Sequence, residues 1–412
     1  MNLPPKFVKS WLGKLCLTSS LKKVKEMIYL DCNATTPCDQ RVIEAMLPFF
    51  AEKFGNPSSL HSIGQEAKKA LETSRHTIAQ CLGAEDQEII FTSGGTEANN
   101  LAIRGSAYAL WNKGNHLITS AIEHHAVLNV FKALEKEGFQ VTYLPVDENG
   151  LVDPQEFKKS ITPRTTLVSI MHANNETGVI EPIQEIASLA KEYGLLFHTD
   201  AVQTIGKLSF NVKEIPVDLL SASAHKFYGP KGVGFLYVKK GVRLIPQILG
   251  GPHERGKRAG TENVPLIVGM AKALEIAQAN WEDEYRHVEE LRNRLEQGIT
   301  ERIREVTVVG KNAPRLPNTS MILVKYVEGE AMLLNLDFAG ICVSSGSACT
   351  SGSLEPSHVL LSCGYPHEIA HGSVRFSLGR SNTVEEIQTV LEVFPHIVEK
   401  LRNISPFGKE AI

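Results

Sequence analysis

Apolar runs of strand length alternate with helix-patterned segments along most of this chain, and the alternation leaves few folds open. The strand-like runs are EIIF (residues 88–91), HLIT (116–119), QVTYL (140–144), TLVSI (166–170), LLFHT (195–199), VDLLS (217–221) and VGFLYV (233–238). Helical patterns fall between them, over 92–110 behind a glycine turn, 125–134 and 183–193. Such alternation demands crossover connections, hence a mostly parallel seven-stranded sheet with helices on both faces. Beyond residue 263 the pattern changes. A long helical stretch runs to about residue 304. Strand-like segments follow at 306–309, 319–324 and 373–377, with helices near 329–336 and 384–401. This predicts an α/β chain in three parts: an extension over 1–26, a large domain over 27–284, and a smaller α+β C-terminal domain over 285–412. Residues 27–36 are expected to pack with the small domain, and the long helix to bridge the two.

In a sheet of this kind, ligands bind outside the carboxyl ends of the strands. Five strand ends carry polar, chemically useful groups: TSGGTE, SAIEHH, MHANNETG, DAVQ and SAHKFYGPKG. In SGGTE (93–97), a glycine turn opening a helix exposes backbone N–H groups at the positive end of the helix dipole, which suits an anion. Alone it reads as an ordinary helix start capped by Ser or Thr, and it is neither a Walker loop nor a dinucleotide fingerprint. Lys226 sits at a tight strand end among small residues, where a lysine can lose its charge and form a Schiff base. Lys231, in a plain turn, reads as surface. Asp200 alone could be a helix cap. Lys226, Asp200 and the glycine turn together point to a pyridoxal 5′-phosphate site, which needs a Schiff-base lysine, a carboxylate for the pyridinium nitrogen and phosphate donors.

The segment SSGSACTSGS (344–353) holds Cys349 among residues too small to build a core. A lone cysteine is ordinarily an inert, buried small hydrophobe, and the alternative is a reactive thiol on a mobile loop. All seven cysteines are scattered, without a CxxC pair. A disulfide framework or structural zinc is not expected, and a reducing compartment is. With 22% charged residues and a net charge of −3, there is no electrostatic case for nucleic acid. No apolar run approaches the roughly 18 residues of a membrane span.

Residues 1–26 contain six lysines, a single acid and no arginine. Three readings compete: a targeting peptide, an amphipathic surface segment, or an extension upstream of a true start at Met27, the last being favoured. The expected location is cytoplasmic, or mitochondrial or another organelle if the segment is a transit peptide.

Ten segments carry a resemblance: YLDCNATTP, FGNPSSLH, FTSGGTEANNLAI, EHHAV, HANNETGVI, HTDAVQTIGK, SAHKFYGPKG, GGPHERGKRAGTEN, SSGSACTSGSLEPSHVL and SVRFSLGR. In these the chain resembles the cysteine desulfurases of the NifS/IscS type, fold-type I pyridoxal phosphate enzymes of the class-V aminotransferase family. The resemblance implies that Lys226 is the Schiff-base lysine and Asp200 the partner of the pyridine nitrogen, with Gln203 at the ring hydroxyl. His124 stacks on the ring as an acid/base, and Asn175 lies near ring and substrate. Gly95, Thr96, Ser223 and His225 hold the phosphate. Thr261 reaches the phosphate of a neighbouring subunit, implying a homodimer. Arg375 takes the substrate carboxylate, assisted by Asn33. Cys349 takes sulfur from L-cysteine as a persulfide, releasing alanine, and hands it to an iron–sulfur scaffold or another acceptor, with tRNA thiolation as a further destination. No resident metal is implied, although Cys349 could transiently share an iron–sulfur ligand position with a scaffold. The long, glycine-rich loop around Cys349 resembles the housekeeping and nitrogen-fixation branch rather than the RxGHHCA branch that includes selenocysteine-selective enzymes, which implies L-cysteine as substrate and an iron–sulfur scaffold as one acceptor. Cys32 departs from the family pattern, as a second thiol near the site or as packing, and Cys342 reads as strand. The alternatives are a selenocysteine lyase or an aminotransferase on the same fold; from another class, a sulfur carrier without pyridoxal chemistry.

Overall fold

The computed structural model describes residues 27–346 and 355–405. In chain order the first elements are β1 (Ile28–Tyr29), α1 (Gln40–Met46), α2 (Pro48–Ala51), α3 (Ser62–Leu82), β2 (Ile89–Thr92), α4 (Gly95–Leu110), β3 (His116–Ser120) and α5 (His125–Lys136). Next come β4 (Gln140–Leu144), α6 (Pro154–Ser160), β5 (Thr165–Ser169), α7 (Ile183–Glu192), β6 (Leu196–Asp200), β7 (Leu219–Ser223) and β8 (Gly234–Val238). The remainder is α8 (Val264–Arg302), β9 (Val306–Val308), β10 (Thr319–Val324), α9 (Gly329–Phe338), β11 (Ile341–Cys342), α10 (His358–Ser362), α11 (His367–Ala370), β12 (Ser373–Ser377) and α12 (Val384–Ile404).

The seven-stranded sheet has the order β2-β8-β7-β6-β5-β3-β4. Every pairing is parallel except those of β8, which runs antiparallel to both β2 and β7. The reversal has a local cause. No α-helix separates β7 from β8, only one 3₁₀ turn, so the chain turns back within ten residues and pairs Ser223 with Gly234. The turn between them carries SAHKFYGPKG. There Tyr228 takes a left-handed backbone conformation, φ +63°, costly for a bulky residue. Its N–H bonds Thr36 Oγ1 at 2.8 Å and its hydroxyl accepts from Arg380 N at 2.8 Å. Those contacts hold the bend.

The helices at the sheet follow amphipathic patterns, and α3 was not predicted. Its apolar stripe is thin, with Ala67, Leu71, Ile78 and Leu82 buried amid charged neighbours. Gly83, at φ +69°, ends it and donates its N–H back to Ala79 and Gln80.

A second core forms around the antiparallel sheet β12-β10-β9. Leu30, Ile322, Phe376, Ile387 and Phe394 belong to it. β1 pairs in parallel with β11, Ile28 opposite Ile341, so the start of the described chain is stitched to this core. α8 spans both cores, giving Ile267, Met270 and Leu274 to the first and Val288, Leu291 and Leu295 to the second. Its start is capped by the Asn263 side chain.

Candidate active site

The ends of β2, β3, β5, β6 and β7 lead into one cavity of about 920 Å³, open solvent at its mouth included. Asn33, Gly95, Thr96, His124, Asn175, Asp200, Gln203, Ser223, His225, Lys226 and Arg375 line it. Eleven of the expected site residues therefore come together. Thr261 does not line this cavity and is exposed. Cys349 lies outside the described residues.

Asp200 ends β6 with its carboxylate doubly held. Asn99 Nδ2 donates to Oδ2 at 2.6 Å and the Val202 N–H to Oδ1 at 3.0 Å. Asn99 lies on α4, lines the cavity, and was not singled out from the sequence. One helical turn after Gly95 and Thr96 it faces the same way as they do, the only signal that could have exposed it. Its own Oδ1 is buried without a hydrogen bond.

α4 is preceded by Gly94, which offers no side-chain cap. The N–H groups of its first turn are therefore available at the positive end of the helix. Small residues are required there. Gly94 sits at φ +150°, and a Cβ on Gly95 would come within 2.6 Å of Val202 Cγ2. Ser223 Oγ borders the same turn, 3.6 Å from where a Cβ on Gly94 would stand. His225 Nδ1 pairs with Thr35 Oγ1 at 3.2 Å. Burial, with the Lys226 charge adding to it, pushes the His225 pKa down to about 4, so its ring is neutral near pH 7.

Lys226 follows β7 in a single 3₁₀ turn. Its amine donates to the carbonyl oxygens of Asn33 and, at 2.9 Å, Ala34. His124 caps α5, its Nδ1 accepting from the Ala126 N–H at 3.0 Å, which leaves Nε2 protonated in the neutral ring. Burial lowers its pKa, while the nearby Asp200 carboxylate opposes the shift.

Arg375 lies buried on β12. Nη1 donates to Asn175 O at 3.1 Å and Nη2 pairs with Asp31 Oδ1 at 2.9 Å, while Nε is buried and has no partner among the described residues. Asn33 is more committed than a substrate contact needs to be. Its Nδ2 donates to Asn175 O at 3.1 Å and Thr319 Oγ1 at 2.8 Å, and its Oδ1 accepts from Asn318 at 2.9 Å and Lys207 at 3.1 Å. Cys32 is 4% exposed and burial pushes its thiol up to about 12, which makes it a packing residue rather than a second nucleophile.

The described ends of the segment around Cys349 are both tied to the cavity. Ser344 exchanges two backbone hydrogen bonds with Arg375. Ser357 caps α10 and donates to the fully buried Glu176, beside Asn175. Burial raises the Glu176 pKa to about 7.

Residues 28–390 match the family Aminotransferase class-V. A cysteine desulfurase IscS from Dictyoglomus turgidum is 55% identical over 94% of this chain and 98% of its own length. One from Methanosarcina thermophila is 53% identical over 95% of this chain and 96% of its own. Among solved structures, a NifS-like protein superimposes with a TM-score of 0.86 at 41% identity, covering 91% of this chain and all of that one. With the family matched over most of the chain and relatives above half identity, the chain belongs to the class-V aminotransferases, as a member of the NifS/IscS cysteine desulfurase type.

Proposed function

We propose that the cavity binds pyridoxal phosphate and removes sulfur from L-cysteine, leaving a persulfide on Cys349 and releasing alanine. The observation that carries this reading is the meeting of Lys226, the doubly held Asp200 and the uncapped start of α4 in one cavity. The residues fit the cofactor. The α4 N–H groups, Ser223 Oγ and His225 suit its phosphate. Asp200, oriented by Asn99 and Val202, suits its ring nitrogen. The buried orphan Nε of Arg375 suits a carboxylate. When bound, the cofactor serves as an electron sink for bond changes at the substrate α-carbon.

The chain's own groups do the rest. Lys226, released from its role of holding the cofactor, moves a proton at the α-carbon. The Cys349 thiolate attacks the substrate sulfur. An S–S bond forms and the C–S bond breaks, its electron pair staying on the substrate carbon until a proton arrives to give alanine. Thr261, exposed and away from this cavity, serves the phosphate of a second copy in a homodimer. The sulfur acceptor is an iron–sulfur scaffold or a tRNA-thiolation protein. Among the described residues the five cysteines are free thiols, which suits a reducing compartment. No described helix is long and apolar enough to cross a membrane.

The test is Cys349→Ala. Sulfide production from cysteine should fall by about three orders of magnitude, as expected when a nucleophile is removed, while the visible cofactor band and its loss in Lys226→Ala stay as in the parent. Full sulfide production by Cys349→Ala would point to a lyase or aminotransferase on this fold instead.

A further inference from the structure

Lys207 is unused by the mechanism above, yet it reaches the cavity from behind. Its Nζ donates to Gln203 Oε1 at 3.0 Å and to Asn33 Oδ1 at 3.1 Å. On its other side lies a smaller cavity of about 470 Å³ that includes Cys32, Tyr228, Glu284 and Arg380 in its wall. A side-chain amide has one accepting end and one donating end. A lysine placed against the oxygen therefore decides which way the amide points. Gln203 Nε2 is left to donate to Asn33 O at 3.1 Å, and among the described residues that is its one side-chain hydrogen bond. For Asn33 the orientation is set twice over, because Asn318 also donates to its Oδ1. Gln203 Oε1 receives a side-chain donor from Lys207 alone among the described residues.

We propose that Lys207 is a positioning residue that locks the Gln203 amide with its NH₂ toward the cavity, as the donor to the cofactor's ring oxygen. The inference rests on the cofactor reading above. It does not depend on whether Lys207 is charged. Burial, the Lys226 amine and the Arg375 guanidinium lower its pKa to about 7, while the Cys32 thiol opposes them. A neutral amine still carries two N–H groups, one for each oxygen.

A donor to the ring oxygen stabilises negative charge there and weakens that oxygen's hold on the neighbouring proton. Losing it raises the pH at which the bound cofactor's visible band titrates. In Lys207→Met the midpoint should rise by about half to one pH unit, the worth of one hydrogen bond. In a Gln203→Ala background, Lys207→Met should move it no further. Lys207→Gln, which still donates, should recover at least half of the shift and serves as the second variant if Lys207→Met does not fold. An unchanged midpoint in Lys207→Met overturns the proposal. So does a shift by either Lys207 variant that persists undiminished without Gln203, since the lysine would then act through its charge or packing. A parent protein that binds no cofactor overturns the cofactor reading itself, and this one with it.

Discussion

Buried titratable side chains give this protein a pH profile that can be worked out residue by residue. His198, on β6, lies between Ser169 Oγ at 2.8 Å and Ser221 Oγ at 3.0 Å. Burial drives its pKa down to about 3. The folded form therefore stays neutral where the unfolded chain, with a pKa near 6.5, takes up a proton. Its contribution is complete above about pH 6.5 and is lost as pH falls toward 3. Glu176 and Glu181 work the other way. Burial raises them to about 7 and about 8, so they favour the folded state at low pH and lose that contribution as pH rises through those values. His198→Asn should flatten the acid limb of stability by about 1 kcal/mol per pH unit between pH 6 and 4, read from urea unfolding at each pH. An unchanged slope would show that His198 is not the titrating group. At this scale Lys226 and Asp200 were legible, because lysine and aspartate at strand ends are chemically distinctive. Asn99 and Lys207 were not, because an asparagine inside a helix and a lysine in a turn are ordinary until their partners are known.

Elements supply the site with shape more than with chemistry. The start of α4 depends on a neighbour it does not touch in sequence. Gly234 of β8 lies so close that a Cβ there would stand 2.8 Å from Gly94 Cα and would also press on the Ala222 carbonyl. Gly234→Ala should therefore push the anion-binding turn outward. We expect a loss of about 1–3 kcal/mol in stability from overpacking and at least a several-fold faster loss of cofactor, measured by dialysis and absorbance. Wild-type retention of cofactor would mean that the turn yields freely. The strands were legible to within one or two residues, since apolar runs bounded by polar turns have few alternatives. α3 was not, because its buried face is built on alanine and a few aliphatics. The β1–β11 pairing was hidden too, as two-residue strands leave no periodicity to read.

At the scale of the molecule, two cores are joined by α8 and clasped beside the smaller cavity by Arg380. Its guanidinium lies 3.8 Å from the Tyr228 ring centroid, reaches Glu284 at 3.5 Å and pairs with Asp39. Arg380→Leu should cost about 2 kcal/mol and speed hydrogen exchange both at α1, which Asp39 caps in the first core, and at β12 in the second. Exchange altered at only one of them would show that the clasp does not couple the two cores. The chain by itself determined the sheet class, the strand ends that bear chemistry and the family, because periodicity and motif chemistry are local properties that survive in one dimension. Only the tertiary structure decided that Arg375 is half-committed to Asp31, that Asn33 is spent on holding the two cores together, and that Lys207 orients Gln203. The first two depend on atoms that meet across more than a hundred residues, and the third on a contact between residues four apart that only burial against Asn33 fixes; hydrogen-bond geometry and burial exist only once the chain has closed on itself.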